Sequence, residues 1–294
     1  MQYGSGAILV VLAAILWSFT GLAIRNIDQA GTWAVLFWRS VGLVPVLLAF
    51  IAWRSGGHLW ARMRAVGWPG VIGGLGLAFA FAGAIYALQR TTVANAVFLF
   101  AASPIFTAIL GWLILGERVR RATWISIALA AIGMFIMVRE GLAAGEAAGN
   151  IAAVLSALGF ASFTITLRWG RTEDTTPSIV LGGLFSMLIA VLMLPLQGET
   201  LAAPLSDIVI ALVLGACLLG TGLVLYTIGA RVVPAAELTL LSMVEVLLAP
   251  IWVWLVLGES ASAATFLGGA ILLAAIAGNA LTGLKRKPLA PPIT

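Results

Sequence analysis

Charged side chains are scarce in this chain: Asp, Glu, Lys and Arg together make up 9% of its 294 residues. Soluble domains carry about 25%. So few charges cannot cover the surface of a water-soluble fold of this length. Cysteine and histidine are scarcer still, at one each, Cys217 and His58. A lone cysteine excludes an intrachain disulfide, and one Cys with one His builds neither a metal site nor a nucleophile pair. There is no HExxH, no GxSxG and no phosphate-binding glycine loop, which argues against a membrane-embedded enzyme and against an ATP-driven pump. No cofactor is expected. The net charge of +5 is scattered between apolar runs rather than gathered in a patch, so nucleic acid is not an expected partner.

What is abundant is apolar sequence, 62% of residues at a mean hydropathy of +1.12. A helix needs about 20 apolar residues to cross a bilayer. Runs of that kind fall at 6–24, 33–53, 67–88, 93–115, 122–138, 150–167, 177–195, 208–229, 237–257 and 263–283, ten in all. The first lacks a basic leader and a small-residue cleavage site, so it reads as a span rather than a signal peptide. The basic, proline-containing segment 285–294 reads as a disordered tail. An internal N-terminus puts twelve Lys and Arg residues in cytoplasmic segments and three (Arg25, Arg90 and Arg139) outside, with Arg39 alone inside a span. The positive-inside rule then predicts both termini in the cytoplasm. Trp33, Trp53, Trp68, Trp112, Trp124, Trp252 and Trp254 stand near span ends and read as interfacial belts.

The chain also repeats itself. Trp112-x-x-Leu115-Gly116-Glu117 recurs as Trp254-x-x-Leu257-Gly258-Glu259, an offset of 142 that also carries Ala94 to Ala236, Leu99 to Leu241 and Ala122-Thr123 to Ala264-Thr265. Ala14 and Arg25 meet Ala157 and Arg168 at 143, and Tyr86 meets Tyr226 at 140. The expected organisation is a first five-helix repeat over 1–145, a second over 146–284, and the tail. Five is odd, so the copies insert with opposite polarity, an architecture of secondary transporters with a site at the repeat interface. The expected fold is therefore an all-α polytopic membrane protein, ten transmembrane helices in two inverted repeats around a central cavity.

Leu16-Trp17-Ser18-Phe19 in span 1, Arg39 in span 2, and the proline followed by Leu-Gly-Glu in spans 4 and 9 together resemble the drug/metabolite transporter superfamily, in its EamA-type branch. The resemblance covers essentially the whole chain. Within that branch it is similar to bacterial exporters of amino acids, aromatic ones included. It implies that spans 4 and 9 line the central site and that the protein lies in a bacterial cytoplasmic (inner) membrane.

Polar groups inside lipid are costly and ask for a reason. Asn95 and Ser103 of span 4 correspond at 142 to Glu237 and Glu245 of span 9. Eight residues advance about 12 Å and bring each pair roughly onto one face. These groups either line the cavity or hydrogen-bond neighbouring helices; Glu237, after Pro234, suits stabilisation of a helix start. Pro104 and Pro250 should bend their helices, freeing the carbonyls of Phe100 and Val246 and acting as hinges, or are simply tolerated. Arg39 can bind a substrate carboxylate, snorkel to headgroups, or pair with Asp28. Glu117, among Arg118, Arg120 and Arg121, and Glu259 read as structural or gating ion pairs. Trp17, Phe79, Tyr86, Phe163 and Tyr226 either pack the bundle or suit a cavity for a large apolar side chain. Ser242 completes the candidate substrate-binding set. Small-residue series such as Ala270, Ala274 and Gly278 permit close helix contact, within the chain or between copies of a homo-oligomer.

The expected function is a secondary transporter, not an enzyme, exporting amino acids or related metabolites by alternating access; its partners are that small-molecule substrate and the bilayer. A sugar-phosphate exchanger would want Arg or Lys in spans 4 and 9, and neither span has one. A multidrug exporter of the same superfamily is the alternative. A channel is a further class.

Overall fold

The computed structural model describes residues 3–117, 119–143, 145–170, 174–229, 232–233 and 235–284, with side chains left aside at 140–143, 235–240 and 282–284. Arg118, Arg171, Arg231, Pro234, the side chain of Glu237 and the 285–294 tail lie outside the described residues. Among the described residues every regular element is helical. Span 1 is α1 (Tyr3–Ser18) and α2 (Thr20–Arg25), broken at Phe19, and span 2 is α3 (Thr32–Arg54). The short α4 (Leu59–Ala65) precedes span 3, α5 (Gly67–Arg90). Span 4 is α6 (Val93–Phe100) and α7 (Ser103–Leu115); spans 5, 6 and 7 are α8 (Arg121–Ala143), α9 (Ala147–Trp169) and α10 (Thr176–Gln197). Span 8 is α11 (Leu205–Val213), a π-helical turn over Leu214–Gly220, and α12 (Thr221–Gly229). Spans 9 and 10 are α13 (Ala235–Leu257) and α14 (Ala263–Leu284).

Nine of these are long and apolar enough to cross a bilayer among the described residues, and α13 adds an apolar Leu241–Leu257 segment. The outer surface of the bundle is studded with large apolar side chains, such as Ile72, Leu113, Phe135, Leu188 and Leu255. Exposed apolar area on that scale is stable only against lipid.

Packing order follows from which helices touch. Span 1 packs on 9, 9 on 4, 4 on 6, 6 on 3, 3 on 7, 7 on 2, 2 on 8, and 8 back on 1. Eight helices thus close a ring, while spans 5 and 10 pair with each other beside spans 4, 6 and 9. Exchanging the two halves maps this contact pattern onto itself: 3 with 6 becomes 8 with 1, and 4 with 6 becomes 9 with 1. The structure is two five-helix repeats.

Small residues set the closest approaches. A Cβ on Gly83 would stand 2.9 Å from the Ala152 carbonyl oxygen, and one on Gly159 2.9 Å from that of Gly76. Spans 3 and 6 therefore touch backbone to backbone, and Ser156 Oγ donates across to the Ala80 carbonyl at 2.6 Å. Spans 2 and 8 meet as closely at the π-helical turn, where a Cβ on Gly215 would collide with the Arg39 carbonyl.

The Leu-Gly-Glu motif is read out identically in both halves. Gly116 and Gly258 take φ values of 65° and 68°, a left-handed conformation that only glycine adopts without strain. Each helix then ends with the glutamate N–H returning to a carbonyl six residues back, Glu117 to Gly111 at 3.1 Å and Glu259 to Val253 at 3.3 Å. The motif therefore fixes where each glutamate emerges.

Candidate functional site

The ring has two polar ends. At one, Arg25 Nε lies 2.7 Å from Glu259 Oε2, Arg25 Nη2 donates to the Thr91 carbonyl at 2.7 Å, and Glu259 Oε1 accepts from Val93 N–H at 2.7 Å. Thr91 Oγ1 bonds Glu146 and Asn150. Asn95 accepts from Thr265 Oγ1 at 2.9 Å and donates to Asn150 and Thr91. The adjoining loop is held by Asp207, which accepts from Gln29 and Ala30 N–H, and by Glu199, which accepts from Trp33 N–H. A cleft of about 300 Å3, lined by Arg25, Asp28, Gln89, Arg90 and Glu199 among others, opens beside this lattice. At the opposite end, Arg168 pairs with Glu117, Arg54 lies 3.5 Å from Asp174, and Arg120 and Thr123 donate to Asn279. Trp53, Trp60, Trp68, Trp112, Trp124 and Trp169 stand exposed around that second end.

Between the ends lies a cluster of aromatic and polar groups where spans 1, 8 and 9 converge. Span 1 breaks at Phe19, where Ser18 Oγ back-bonds to the Ile15 carbonyl at 2.6 Å. Trp252 Nε1 donates to that same Ser18 Oγ at 2.8 Å, and its ring stacks on Phe19 with centroids 4.9 Å apart. Trp17 lies against Gly222, where any side chain would collide with its indole, and 5.4 Å from the Tyr226 ring. Tyr226 in turn shares a hydrogen bond with Ser242. Glu245 is one turn beyond Ser242 and two turns before Trp252, so helical periodicity puts it on the face carrying both. It is half-buried and is in none of the ion pairs among the described residues.

Arg39 is 4% exposed in span 2. Its guanidinium sits 4.3 Å over the Phe81 ring, and its Nε and Nη2 have no hydrogen-bond partner. It pairs neither with Asp28 nor with any other acid among the described residues. A buried guanidinium without an ion partner is rare inside a membrane bundle.

The other sequence candidates are placed as follows. Asn95 is 3% exposed, with its amide engaged in the lattice around Arg25. Phe79 is 59% exposed on the outside of the bundle. Phe163 is buried between spans 3 and 6, beside Leu77 and Leu167. Tyr86 lies under the Arg90 guanidinium at 5.4 Å, toward the Arg25 end. Ser103 starts α7 with Pro104 in its first turn, so span 4 is interrupted at Ala101 and Ala102. Pro250 lies inside the continuous α13. Glu117 pairs with Arg168 of the other half and, among the described residues, with neither Arg120 nor Arg121.

Sequence reasoning missed Trp252, Ser18, Phe19 and Phe81. Trp252 reads as a belt residue from its place near a span end; its spacing of seven from Glu245 was the available signal. Phe160, which aligns with Trp17 at the 143 offset, also goes unmarked in the sequence. It touches Phe100 at 5.8 Å and Phe163 at 5.8 Å, an aromatic cluster where spans 4 and 6 meet.

Comparison with known proteins bears on this arrangement. An uncharacterized transporter of Archaeoglobus fulgidus is 28% identical over 94% of this chain and 96% of its own. The pseudopaline exporter of Pseudomonas aeruginosa is 25% identical over 92% and 94%. Human solute carrier family 35 member G1 is 24% identical over 67% of this chain, which spans 57% of that carrier. A solved crystal structure superposes with a TM-score of 0.68 over 97% of this chain and 100% of the other at 19% identity, a likeness of fold alone. The model of the EamA-like transporter family matches twice, over residues 4–139 and 147–281. A protein of this kind is a multi-pass membrane transporter of small molecules and not an enzyme. The chain belongs to the EamA-like transporter family.

Proposed function

We propose that this transporter exports amino acids with neutral or aromatic side chains, across a bacterial cytoplasmic membrane, by alternating access. The observation that carries this reading is two residues of opposite charge within the membrane spans, buried Arg39 and half-buried Glu245, neither of which has an ion partner among the described residues. A charge at membrane depth costs about 2.5–3.5 kcal/mol on translocon scales. Two such groups of opposite sign left unpaired suit a ligand that brings both counter-charges, as a zwitterion does. Arg39 is seven residues into its span and Glu245 twelve from the corresponding end of its own, so the two differ in depth along the membrane normal by about 8 Å.

In this reading Glu245 receives the ammonium and Arg39 the carboxylate. Trp17, Tyr226, Trp252 and Phe19 offer the surface for the substrate's side chain. Ser103 and Ser242 supply hydroxyls, and the interruption at Pro104 lets span 4 flex. Orientation follows the basic residues, with the Arg168 end and both termini in the cytoplasm. The similarity to an exporter supports the outward direction.

The test is counterflow of labelled amino acids in liposomes holding the purified protein. Wild type should exchange a neutral or aromatic amino acid, and Glu245→Gln should reach the membrane yet lose most exchange. Counterflow of organic cations with none for any amino acid would overturn the reading in favour of a multidrug exporter.

A further inference from the structure

The two ends of the ring are closed by the same device. Arg25 ends span 1 and Arg168 ends span 6, aligned at 143; Glu117 and Glu259 follow spans 4 and 9, aligned at 142. The sequence sets Glu117 beside arginines of its own half, Arg118, Arg120 and Arg121. The structure instead crosses the halves: Arg25 of the first half meets Glu259 of the second, and Arg168 of the second meets Glu117 of the first. Each pair is the image of the other under exchange of halves, and they sit at opposite ends of the ring. Each glutamate is held in the same way, by a left-handed glycine and a main-chain bond six residues back.

We propose that these two crossed ion pairs are the alternating gates of the transport cycle. Opening toward the Arg25 end breaks Arg25–Glu259 and leaves Arg168–Glu117 closed, and opening toward the Arg168 end does the reverse. The proposal rests on the alternating access described above, not on the identity of the substrate. Both pairs are formed in this structure, but they are not equally supported. The Arg25 and Glu259 side chains are 25% and 21% exposed and are tied to Thr91 and Val93 at the mouth of span 4. Arg168 and Glu117 are 48% and 40% exposed, and no hydrogen bond from either side chain to the main chain is found among the described residues. Arg25 also lines the 300 Å3 cleft, so releasing it would join that cleft to the ring interior. The Arg25 gate is the tighter one, and the resting protein opens more readily at the Arg168 end.

Hydrogen–deuterium exchange of the purified protein, without substrate, tests this. Glu259→Gln keeps an acceptor for Val93 N–H and removes the charge; Glu117→Gln is its counterpart. Glu259→Gln should raise exchange about fivefold around 88–98 and 255–266, as expected for losing one partly exposed pair. It should lower exchange around 108–117 and 165–170. Glu117→Gln should do the opposite. The charge-exchanged double variant Arg25→Glu with Glu259→Arg restores the ion pair without its Thr91 and Val93 hydrogen bonds, so it should return part of the wild-type pattern at both ends. If Glu259→Gln fails to fold, Arg25→Lys must give a weaker form of the same reciprocal change. Loosening confined to the altered end, with the far end unmoved, would show that the pairs are local braces and overturn the proposal. A reciprocal pattern in a protein that carries no amino acid would leave the gates standing and the substrate assignment lost.

Discussion

Replacing Arg39 with methionine should make the empty protein more stable while removing its transport. The guanidinium is buried with Nε and Nη2 unbonded, and each unsatisfied buried donor costs about 1–3 kcal/mol. Its compensating contact among the described residues is the Phe81 ring at 4.3 Å, worth up to about 2 kcal/mol when desolvated. The balance leaves Arg39 a net destabilising group by about 1–3 kcal/mol without ligand. Methionine fills similar space with a flexible apolar chain and no donor. With about 2–4 °C per kcal/mol for a chain of this size class, Arg39→Met should melt about 5 °C above wild type in detergent.

Substrate should invert the comparison. A ligand at a hundredfold excess over its Kd adds about 2.7 kcal/mol to a protein that binds it. Wild type should therefore gain on adding amino acid, and Arg39→Met should not. The assay is a thermal melt of both proteins with and without amino acid, beside counterflow in liposomes. A variant that melts below wild type when empty would show that Arg39 is a packing residue held by Phe81. Undiminished counterflow by the variant would remove Arg39 from the site.

Two other measurements bear on the fold. With Cys217 changed to serine, an impermeant thiol reagent applied to intact cells should label Thr200→Cys and leave His58→Cys untouched; the converse would invert the orientation. Gly258→Ala, which forces an alanine to φ near 68°, should cost about 1–3 kcal/mol and loosen the Arg25 end, and Gly116→Ala should do the same at the other end. Unchanged melting in both would mean that the motif's glycines are not required by the backbone.

Span number was legible because the bilayer imposes a length on apolar sequence. The repeat was legible because Leu-Gly-Glu meets two separate demands in both halves, a left-handed turn and an ion pair. Which way each side chain faces was not. A soluble helix advertises its buried face by contrast with a polar one, but here lipid and bundle interior are both apolar. Phe79 and Phe81 differ by two residues in one apolar span, yet the first is exposed outside the bundle and the second lies under Arg39. Trp252 was misjudged for the same reason, since an indole near a span end suits headgroups or a neighbouring serine equally well. The break at Phe19 and the π-helical turn at Leu214–Gly220 carry no periodic signature; they arise from contacts with spans 9 and 2 that only the folded chain supplies.

What the repeat duplicates and what it leaves single divide along the lines of the proposed gates and the proposed site. The residues of the crossed ion pairs are duplicated: Arg25 with Arg168, Glu117 with Glu259, Gly116 with Gly258. The charges of the proposed site are not. Glu245 corresponds to Ser103, and any offset between 140 and 143 sets Arg39 against Ile179, Val180, Leu181 or Gly182. Opening to either side requires two equivalent closures, so symmetry serves the motion. Binding one zwitterion requires one anion and one cation at one place. A symmetric site would bury a second Glu and a second Arg at membrane depth, each costing about 2.5–3.5 kcal/mol, with one ligand to neutralise all four. The asymmetry of Arg39 and Glu245 within a symmetric frame is therefore what the proposed zwitterion carrier would require.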